Sequence, residues 1–386
     1  MLLEFGFYNF FSFKEGGSIS FRLPSQCPEE ISLGKDYTNV ICVKGKNGSG
    51  KTNVLKALSF MFDFATDSFS NKPDQRIMVE PFYETEADCE FYAEFLIQDV
   101  EYRYELSLNR QSVTKESLHR KVQRWTKIIE RTGEEFTYLS SGYKKLSSMK
   151  LRDNASFIST FNQYDVSVTS DLKEVYYFFH YMLSNVTFFG LNSAVQSPQS
   201  IESISKNYYE NPETFKFVKE IICKCDTGVS DIQIRTMHDE STNATKYYPL
   251  FIHEVNGEEH FLTHFTESSG TKSLFVQLGK YALAARMGGV LCLDEFDINL
   301  HPYILPVLVN LFLDPETNVG QGQFIFTTHN NEILDDLGRY RTYIVDKDDN
   351  QSYCYRLDEI PGDILRNDRP ITTVYRQGKI GGIPRL

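Results

Sequence analysis

Apolar residues along this chain recur in two periods, one typical of buried strands and one typical of helices. Tyr37–Lys44 is a mostly apolar run and predicts a short buried strand. Asn53–Phe64 then places its apolar side chains at helical spacing. Further strands are expected at Gly289–Glu295 and in the segment that ends at His329, and a second helix is expected after Gly270. This alternation of strands and helices predicts an α/β fold.

Two antiparallel hairpins are predicted on either side of a helical middle region. Cys89–Leu108 alternates around the turn Gln98-Asp99-Val100, and Asn256-Gly257 is a strong turn signal for a second hairpin. Between them, Ser170–Phe189 has the pattern of an amphipathic aromatic helix, whose ring stripe favours core packing over base stacking. No sustained heptad repeat is found, so a compact helical insertion is expected. We therefore divide the chain into a first lobe (1–110), a mostly helical insertion (111–225) and a second lobe (226–386).

Composition and charge narrow the possible classes of protein. The 386 residues are 41% hydrophobic and 24% charged, which predicts a folded core in one large domain or two ordinary ones. The net charge of −12 argues against nonspecific nucleic-acid binding over the whole surface. The window Lys115–Arg152 nevertheless carries ten Lys or Arg against four Glu. A solvated face is the favoured interpretation of that window, and DNA contact stays open.

The cysteines and the N-terminal sequence predict a cytoplasmic protein. The number of cysteines is odd, at seven, and Cys42 and Cys292 lie in apolar runs, which favours reduced thiols over a disulfide framework. Cys223 and Cys225 lack the further ligands of a zinc site. The first residues do not form a signal peptide, and no apolar run approaches the roughly 20 residues of a membrane span. No membrane partner is expected.

The loop after the first predicted strand carries the clearest chemical motif. Gly45-Lys46-Asn47-Gly48-Ser49-Gly50-Lys51-Thr52 fits GxxxxGK[ST] without a mismatch and stands between a strand and a helix. In such a P-loop, glycines let backbone N–H groups surround phosphate oxygens, and the helix N-terminus adds partial positive charge. Lys51 is then predicted to reach the β- and γ-phosphates, and Thr52 to hold Mg²⁺. The predicted nucleotide-binding residues of the loop are Gly45, Asn47, Gly48, Ser49, Gly50, Lys51 and Thr52.

Two acidic residues, a histidine and a small-residue turn extend the candidate site. Asp294 is predicted to bind Mg²⁺, and Glu295 to act as a general base on the attacking water. His329, at a strand end, is a candidate to hydrogen-bond a γ-phosphate or that water. Ser268, Ser269 and Gly270 open a predicted helix, and they form either an ordinary helix cap or a second anion site.

The order of these motifs resembles the head of ABC-type ATPases. The P-loop, the serine-glycine turn, the strand with Asp294 and the strand with His329 follow one another as in that superfamily. The opening FGFYNFFSFKE and the stretch DEFDINLHP resemble the branch of the structural-maintenance-of-chromosomes and RecF-like ATPases. ESSGTKSLF, QFIFTTHNNEILD and GKIGGIPRL further resemble prokaryotic AAA/ABC-type ATPases of abortive-infection loci, which are relatives of the OLD family. ATPase subunits of the Septu, PARIS and retron-linked defence systems belong to that wider group. The resemblance covers most of 1–110 and 225–386.

This resemblance implies a fold, a mechanism and partners. It implies an ABC-type P-loop ATPase head with a two-lobe mixed sheet, ATP and Mg²⁺ as cofactors, and slow ATP hydrolysis. Two or more copies would associate head to tail, so that 268–270 of one chain contact the ATP on the P-loop of another. The group further implies an antiphage switch that controls a separate nuclease or toxin effector. A RecF-like DNA-repair ATPase that binds DNA ends, and a scaffold that binds ATP but barely hydrolyses it, stay open as alternatives.

Some positions depart from the family pattern. Glu267 stands where transporter heads usually have leucine, and Ser269 replaces a glycine. Gln75 and Gln98 were weighed for the Q-loop glutamine, but Gln98 falls in a predicted turn. Tyr343–Asp349 mimics the end of a Toprim nuclease strand, yet only 57 residues follow position 329. A hairpin turn after a last strand is therefore the favoured interpretation, and no nuclease is expected in this chain.

Overall fold

A six-stranded sheet forms the centre of the computed structural model, which describes residues 1–164, 170–192, 198–225, 228–239, 243–362, 364–365 and 369–383. All neighbouring strands pair in parallel, except that the edge strand β18 forms an antiparallel hairpin with β17. The residues that follow the parallel strands therefore meet at one edge of the sheet. In spatial order the strands are β18 (Gln351–Arg356), β17 (Thr342–Asp348), β3 (Val40–Lys44), β16 (Gln323–Thr327), β15 (Val290–Leu293) and β9 (Met182–Ser184).

A seven-stranded antiparallel sheet forms the second layer. The hairpin predicted over Cys89–Leu108 is confirmed, with Gln98 and Asp99 in the left-handed conformation at its turn. In spatial order this sheet contains β2 (Gly17–Ser20), β1 (Leu2–Tyr8), β4 (Cys89–Ile97), β5 (Val100–Leu108), β6 (Val113–Lys121), β7 (Trp125–Thr132) and β8 (Glu135–Leu139).

The predicted start of a mostly helical insertion at residue 111 is wrong. Strands β6, β7 and β8 continue the antiparallel sheet, so the boundary at 110 cuts between two paired strands. The reason lies in a buried ion pair: Glu116 and Arg131, both fully buried, are joined at 2.6 Å between Oε2 and Nε. Because charged residues occupy inward positions, the apolar alternation that signals a strand is interrupted there.

The middle region contains less helix than predicted, and one of its segments forms a strand of the central sheet. The expected helix over Ser170–Phe189 ends at His180, after which β9 enters the central sheet beside β15. A two-stranded ribbon, β10 (Val186–Thr187) and β11 (Gly190–Leu191), follows directly. The helices of this region are α3 (Phe157–Phe161), α4 (Ser170–His180), α5 (Pro198–Glu210) and α6 (Pro212–Lys224).

A three-stranded antiparallel sheet precedes the last helices. The hairpin predicted at Asn256-Gly257 is confirmed, although residues 241–242 of its first predicted strand lie outside the described residues. The sheet consists of β12 (Asp231–Asp239), β13 (Ala244–Val255) and β14 (Glu258–Thr263). The remaining helices are α1 (Glu29–Ser32), α2 (Lys51–Asp67), α7 (Ser269–Met287), α8 (Leu305–Leu313), α9 (Ile333–Leu337) and α10 (Ile371–Arg376).

Two hydrophobic cores cover the two faces of the central sheet. Ile41 and Val43 face the core that contains α2 and the antiparallel sheet. Val40 and Cys42 face the opposite core, which contains α7 and α8. This alternation explains why β3 is apolar at nearly every position. None of the seven cysteines forms a disulfide, as predicted. Within the described part of the chain, no helix has the length and apolar character that crossing a bilayer requires.

Candidate functional site

The P-loop, residues 45–50, joins β3 to α2 and lies tightly against the sheet. A Cβ on Gly45 would approach Val345 O to 2.2 Å, so only glycine fits at the start of the loop. Gly50 has a φ of 109°, a left-handed backbone that favours glycine. Asn47 and Gly48 are exposed at the loop tip. Because α2 begins at Lys51, the first free N–H groups of the helix face this loop and suit an anion.

Lys51 is held inside the loop that it follows. Its Nζ donates to Gly45 O at 3.0 Å and to Lys46 O at 3.1 Å, and burial lowers the pKa of this ammonium. The hydroxyl of Ser49 is fully buried and finds no hydrogen-bond partner within the structure. A positioned ammonium, a buried unpaired hydroxyl and a row of helix N–H groups together fit a phosphate chain.

Asp294 lies at the end of β15 and is held from three sides. Its Oδ2 accepts from Thr52 Oγ1 at 2.8 Å, and its Oδ1 accepts from Thr327 Oγ1 at 2.5 Å. The side chain of Asn185 accepts from Asp294 N at 2.7 Å and donates to Asp294 O at 2.9 Å. The structure thus brings the predicted metal ligands Thr52 and Asp294 into direct contact.

Glu295 and His329 meet beside the predicted metal ligands. Glu295 has a left-handed backbone with a φ of 47°, and its N–H donates to Thr327 Oγ1 at 2.7 Å. This conformation turns its carboxylate out of the sheet, where 38% of the side chain is exposed. Nε2 of His329 lies 3.4 Å from Oε1 of Glu295, and half of that imidazole is exposed. The two side chains can therefore hold one water between the sheet edge and a neighbouring molecule.

The side chains of Lys44 and Asp297 hold the backbone of the loop that carries His329. Lys44 is almost fully buried, and its Nζ donates to Thr328 O at 3.0 Å and to Asn330 O at 2.8 Å. Asp297 Oδ2 accepts from the N–H groups of His329 and Asn330 at 3.1 and 3.2 Å. Residues on both sides of the imidazole are thereby tied to the sheet.

The turn at Ser268–Gly270 opens α7. Ser268 is the N-cap, and its Oγ accepts from Thr271 N at 3.1 Å. Ser268 and Ser269 are exposed. In the described parts of the chain, no hydrogen bond or ion pair joins residues 268–271 to residues 45–52. The helix cap predicted at this turn is therefore present.

A match to a known protein family covers all of the candidate site residues. Residues 40–335 match the family described as AAA domain, putative AbiEii toxin, Type IV TA system. The chain belongs to this family. The matched residues include all of the predicted site, from Gly45 to His329. No curated protein matches the chain significantly.

Two solved structures of Smc head domains are similar to this AAA-family chain. The crystal structure of the SmcHead bound to the C-winged helix domain of ScpA has a TM-score of 0.50 at 14% identity and covers 92% of this chain and 96% of that chain. The Smc head domain with an extended coiled coil, bound to the C-terminal domain of ScpA derived from Pyrococcus furiosus, has a TM-score of 0.45 at 13% identity, covering 93% and 97%. The first likeness confirms the predicted ABC-type P-loop head fold.

The donor set of this family member fits Mg²⁺ and a nucleotide. The Thr52 hydroxyl and the Asp294 carboxylate are the hard oxygen donors that Mg²⁺ prefers. Among the described residues, no group of three or more His, Cys, Asp or Glu is arranged to hold a metal ion. A metal here would therefore take its remaining ligands from phosphates and water, as Mg²⁺ does at nucleotide sites.

Three features of the site were missed by the sequence analysis. Asn185 lay inside a segment that the apolar pattern assigned to a helix, whereas it follows a short core strand. Gln75, which the sequence analysis did name as a Q-loop candidate, is a separate case: its side chain accepts from Lys72 N and its carbonyl accepts from Asn154 Nδ2. Lys44 carried no signal, because a lysine at a strand end is usually solvated.

The third missed feature is a buried pair behind the serine turn. Glu267 accepts from Ser268 N at 2.6 Å through Oε1, and its Oε2 lies 2.8 Å from His253 Nε2. Its side chain is 3% exposed. The residue that departs from the family pattern thus orients the turn, and it also occupies one of the N–H groups of the turn.

The segment Tyr343–Asp349 is part of a hairpin. It forms β17 and the turn into β18, as predicted. Asp346, the residue that mimicked a nuclease acid, pairs with Lys46 of the P-loop at 2.8 Å and accepts from Gly382 N at 3.0 Å. It therefore anchors the P-loop to the C-terminal segment.

Proposed function

We propose that this protein binds and hydrolyses ATP as a head-to-tail dimer that acts as a nucleotide switch. The observation that supports this proposal is the division of the site. Thr52 and Asp294 are bonded to each other, and Glu295 lies beside His329, whereas Ser268 and Ser269 are exposed and make no hydrogen bond to the P-loop among the described residues. On this proposal the P-loop of one chain and the turn 268–270 of another together form one phosphate site, so two chains are needed to complete it.

Different residues of the chain have different roles in ATP hydrolysis. ATP with Mg²⁺ supplies the γ-phosphoryl group and a cation that neutralises its charge. The P-loop N–H groups and Lys51 bind and orient the phosphates, while Thr52 and Asp294 hold the metal. Glu295 takes a proton from the attacking water, and His329 positions that water or the γ-phosphate.

Turnover is expected to be slow and to depend on the second chain. Glu295 and His329 are both partly exposed, so water is excluded from them only when a neighbour covers the edge. In the dimer, the N–H groups at the start of α7 and the Ser269 hydroxyl face the triphosphate of the partner. Ser268 Oγ already caps the helix. The nucleotide thereby biases the equilibrium between separate and joined heads.

Dilution tests the composite site directly. The ATPase rate per chain is expected to fall as the protein is diluted through the dissociation constant of the dimer. Glu295→Gln is expected to trap an ATP-bound dimer, visible by sedimentation, whereas Glu258→Gln on the exposed strand β14 serves as the control. A rate per chain that does not change on dilution would contradict the proposal. Slow ATP turnover with no dimer in either variant would favour a scaffold.

We further propose that the switch serves antiphage defence in the cytoplasm by controlling a separate nuclease or toxin. The motif resemblance to abortive-infection ATPases supports this role, and so does the family description, which names a putative toxin and a toxin–antitoxin system. Purification with the products of the neighbouring genes is the test. We expect a nuclease or toxin that binds or leaves the ATPase according to the nucleotide present; recovery of the ATPase alone in every nucleotide state would contradict this.

The alternative of a DNA-end-binding ATPase finds less support in the structure. Most cations of the window 115–152 already have acidic or backbone partners. Lys115 and Lys127 contact Glu130, and Lys121 contacts Glu101. Few charges are left to neutralise phosphates. A steep fall of DNA affinity with rising salt would favour the alternative.

A further inference from the structure

A cavity of about 230 Å³ lies on the flank of the helix that begins at the P-loop. One wall is the exposed side of α2, and the opposite wall is formed by Thr187 and Phe188 of the β10–β11 ribbon. Phe10 and Phe11, from the turn after β1, close one end of the cavity. It thus lies outside the nucleotide site but is built on elements that shape that site.

The walls of this cavity, which we call the flank pocket, are mainly aromatic. Phe60 and Phe64 stack with ring centroids 5.5 Å apart, and Phe11 meets Phe188 at 5.6 Å. The ammonium of Lys56 lies 4.2 Å from the centroid of the Phe11 ring. The Phe11 ring thus already makes a cation–π contact with Lys56, so a ligand cation would have to use the rings of Phe60 and Phe64 and be balanced by nearby acids.

Two carboxylates at the mouth of the flank pocket lack cationic partners. Asp63 and Asp67 lie one turn apart on α2, and none of the ion pairs among the described residues includes either of them. With Lys56, the charged lining carries one net negative charge. A cationic group would relieve the repulsion between the two acids.

One exposed apolar side chain belongs to the lining, and a second is adjacent in sequence to the lining residue Phe188. Phe189 is 85% exposed at the turn of the ribbon, and Met78, which lines the pocket, is 43% exposed. A phenylalanine ring left in water beside an aromatic cavity is typical of a surface that a partner covers. The opening thus combines an apolar rim with acids at its mouth.

The flank pocket is mechanically connected to the nucleotide site on both sides. Helix α2 carries Thr52 at its first turn. The ribbon follows Asn185, whose side chain makes two hydrogen bonds to the backbone of Asp294. Ser59 Oγ and Ser184 Oγ, 2.8 Å apart, join the two walls behind the pocket. A change at Asp294 can therefore alter the distance between the pocket walls.

We propose that the flank pocket is the docking site of a protein partner, which inserts an arginine or lysine flanked by bulky apolar residues. The cationic group would lie between the aromatic walls and the two carboxylates, and the apolar neighbours would cover Phe189 and Met78. This inference deepens the proposed function and rests on it for the identity of the partner as the effector. The binding site itself requires only the pocket.

Two capped pentapeptides, ALRFA and ALEFA, are suitable probes. The ¹³C-methyl signal of Met78, assigned with Met78→Leu, reports binding at the rim. We expect ALRFA to shift this signal to saturation and ALEFA to leave it unchanged. The double variant Asp63→Asn/Asp67→Asn is expected to weaken ALRFA binding about fivefold or more. Glu29→Gln/Glu30→Gln removes the same charge from α1 and should leave the affinity intact.

The outcomes separate the docking site from the proposed function. Equal binding of both peptides, or an equal loss in the α1 control, would overturn the docking site. Displacement of ALRFA by a DNA duplex or by a second copy of the chain would overturn it as well. If ALRFA binds as expected but Glu295→Gln forms no dimer, the docking site stands and the switch fails. The pocket variant should keep its basal ATPase rate while losing any response of that rate to ALRFA.

Discussion

Replacing Lys44 by methionine tests whether this buried lysine holds the loop that carries His329 in place. The Lys44 side chain is almost fully buried, and its two hydrogen bonds reach the carbonyls of Thr328 and Asn330. His329 stands between these two residues. Methionine fills a similar volume but donates no hydrogen bond, so both carbonyls would lose their partner while the core stays filled.

The magnitudes predict a moderate effect on stability and a large effect on turnover. Two charge-assisted hydrogen bonds contribute roughly 1.5–3 kcal/mol each. Burial lowers the pKa of Lys44 from 10.5 to about 8, which corresponds to a cost of roughly 3 kcal/mol for the protonated form. Because the cost offsets half or more of this gain, Lys44→Met is expected to lower the free energy of unfolding by at most about 3 kcal/mol. The kcat should fall at least about tenfold, since a loosened imidazole is misplaced for most of the time.

Steady-state ATPase assays and urea unfolding together check this prediction. The KM for ATP is expected to stay within about twofold, because Lys44 contacts backbone carbonyls of the loop and lies outside the phosphate-binding P-loop. The exposed Lys144→Met is the control. An unchanged kcat, or a raised KM with kcat intact, would refute the reasoning.

The same lysine predicts a pH dependence of stability. Its folded-state pKa lies below that of the unfolded chain, so the unfolded chain binds more protons between about pH 8 and 10.5. The contribution of Lys44 to stability therefore rises with pH across this window. The free energy of unfolding of wild type minus that of Lys44→Met, measured in urea, should increase with pH across this window. A difference that does not change with pH would show that the ammonium is not desolvated.

Three further predictions concern pairs that only the folded chain brings together. Arg131→Met should lower the free energy of unfolding by about 3–5 kcal/mol in urea titrations, because a buried carboxylate loses its cation, and adding Glu116→Gln should recover part of the loss. Glu267→Gln keeps the acceptor for the N–H group of the serine turn but removes a negative charge beside it. The ATP-bound dimer should then tighten about fivefold in sedimentation, and an unchanged dissociation constant would contradict this. Asn185→Ala should lower kcat about tenfold with little change in KM, since two bonds to Asp294, the proposed metal ligand, are lost; a loss confined to KM would argue against a positioning role.

Motifs that depend on neighbours in sequence were predicted correctly. The strand before the P-loop, the helix after it and the hairpin turns at Asp99 and Asn256 are all present. Each rests on side chains a few residues apart, whose effect on backbone dihedral angles and helix capping is local. The chemistry assigned to Thr52 and Asp294 followed from the same kind of pattern.

Polar residues in buried positions are where the sequence analysis failed. The Glu116–Arg131 pair made three strands resemble a polar helical region, and a short core strand before Asn185 was absorbed into an aromatic helix pattern. In both cases the deciding partner lies on another element. Periodicity registers only the polarity of a residue, and it cannot register that a charge is neutralised by a distant one.

The sequence by itself determined that a P-loop motif lies between a strand and a helix, and it determined the order of the candidate site residues along the chain. The tertiary structure alone decided what holds those residues in place: Asn185 on Asp294 across 109 positions, and Lys44 under a loop 284 positions away. Backbone geometry and helix capping depend on residues that are close in sequence, so they can be predicted from the sequence. Desolvation and hydrogen-bond pairing between distant elements depend on which faces pack together, and only the folded chain specifies that.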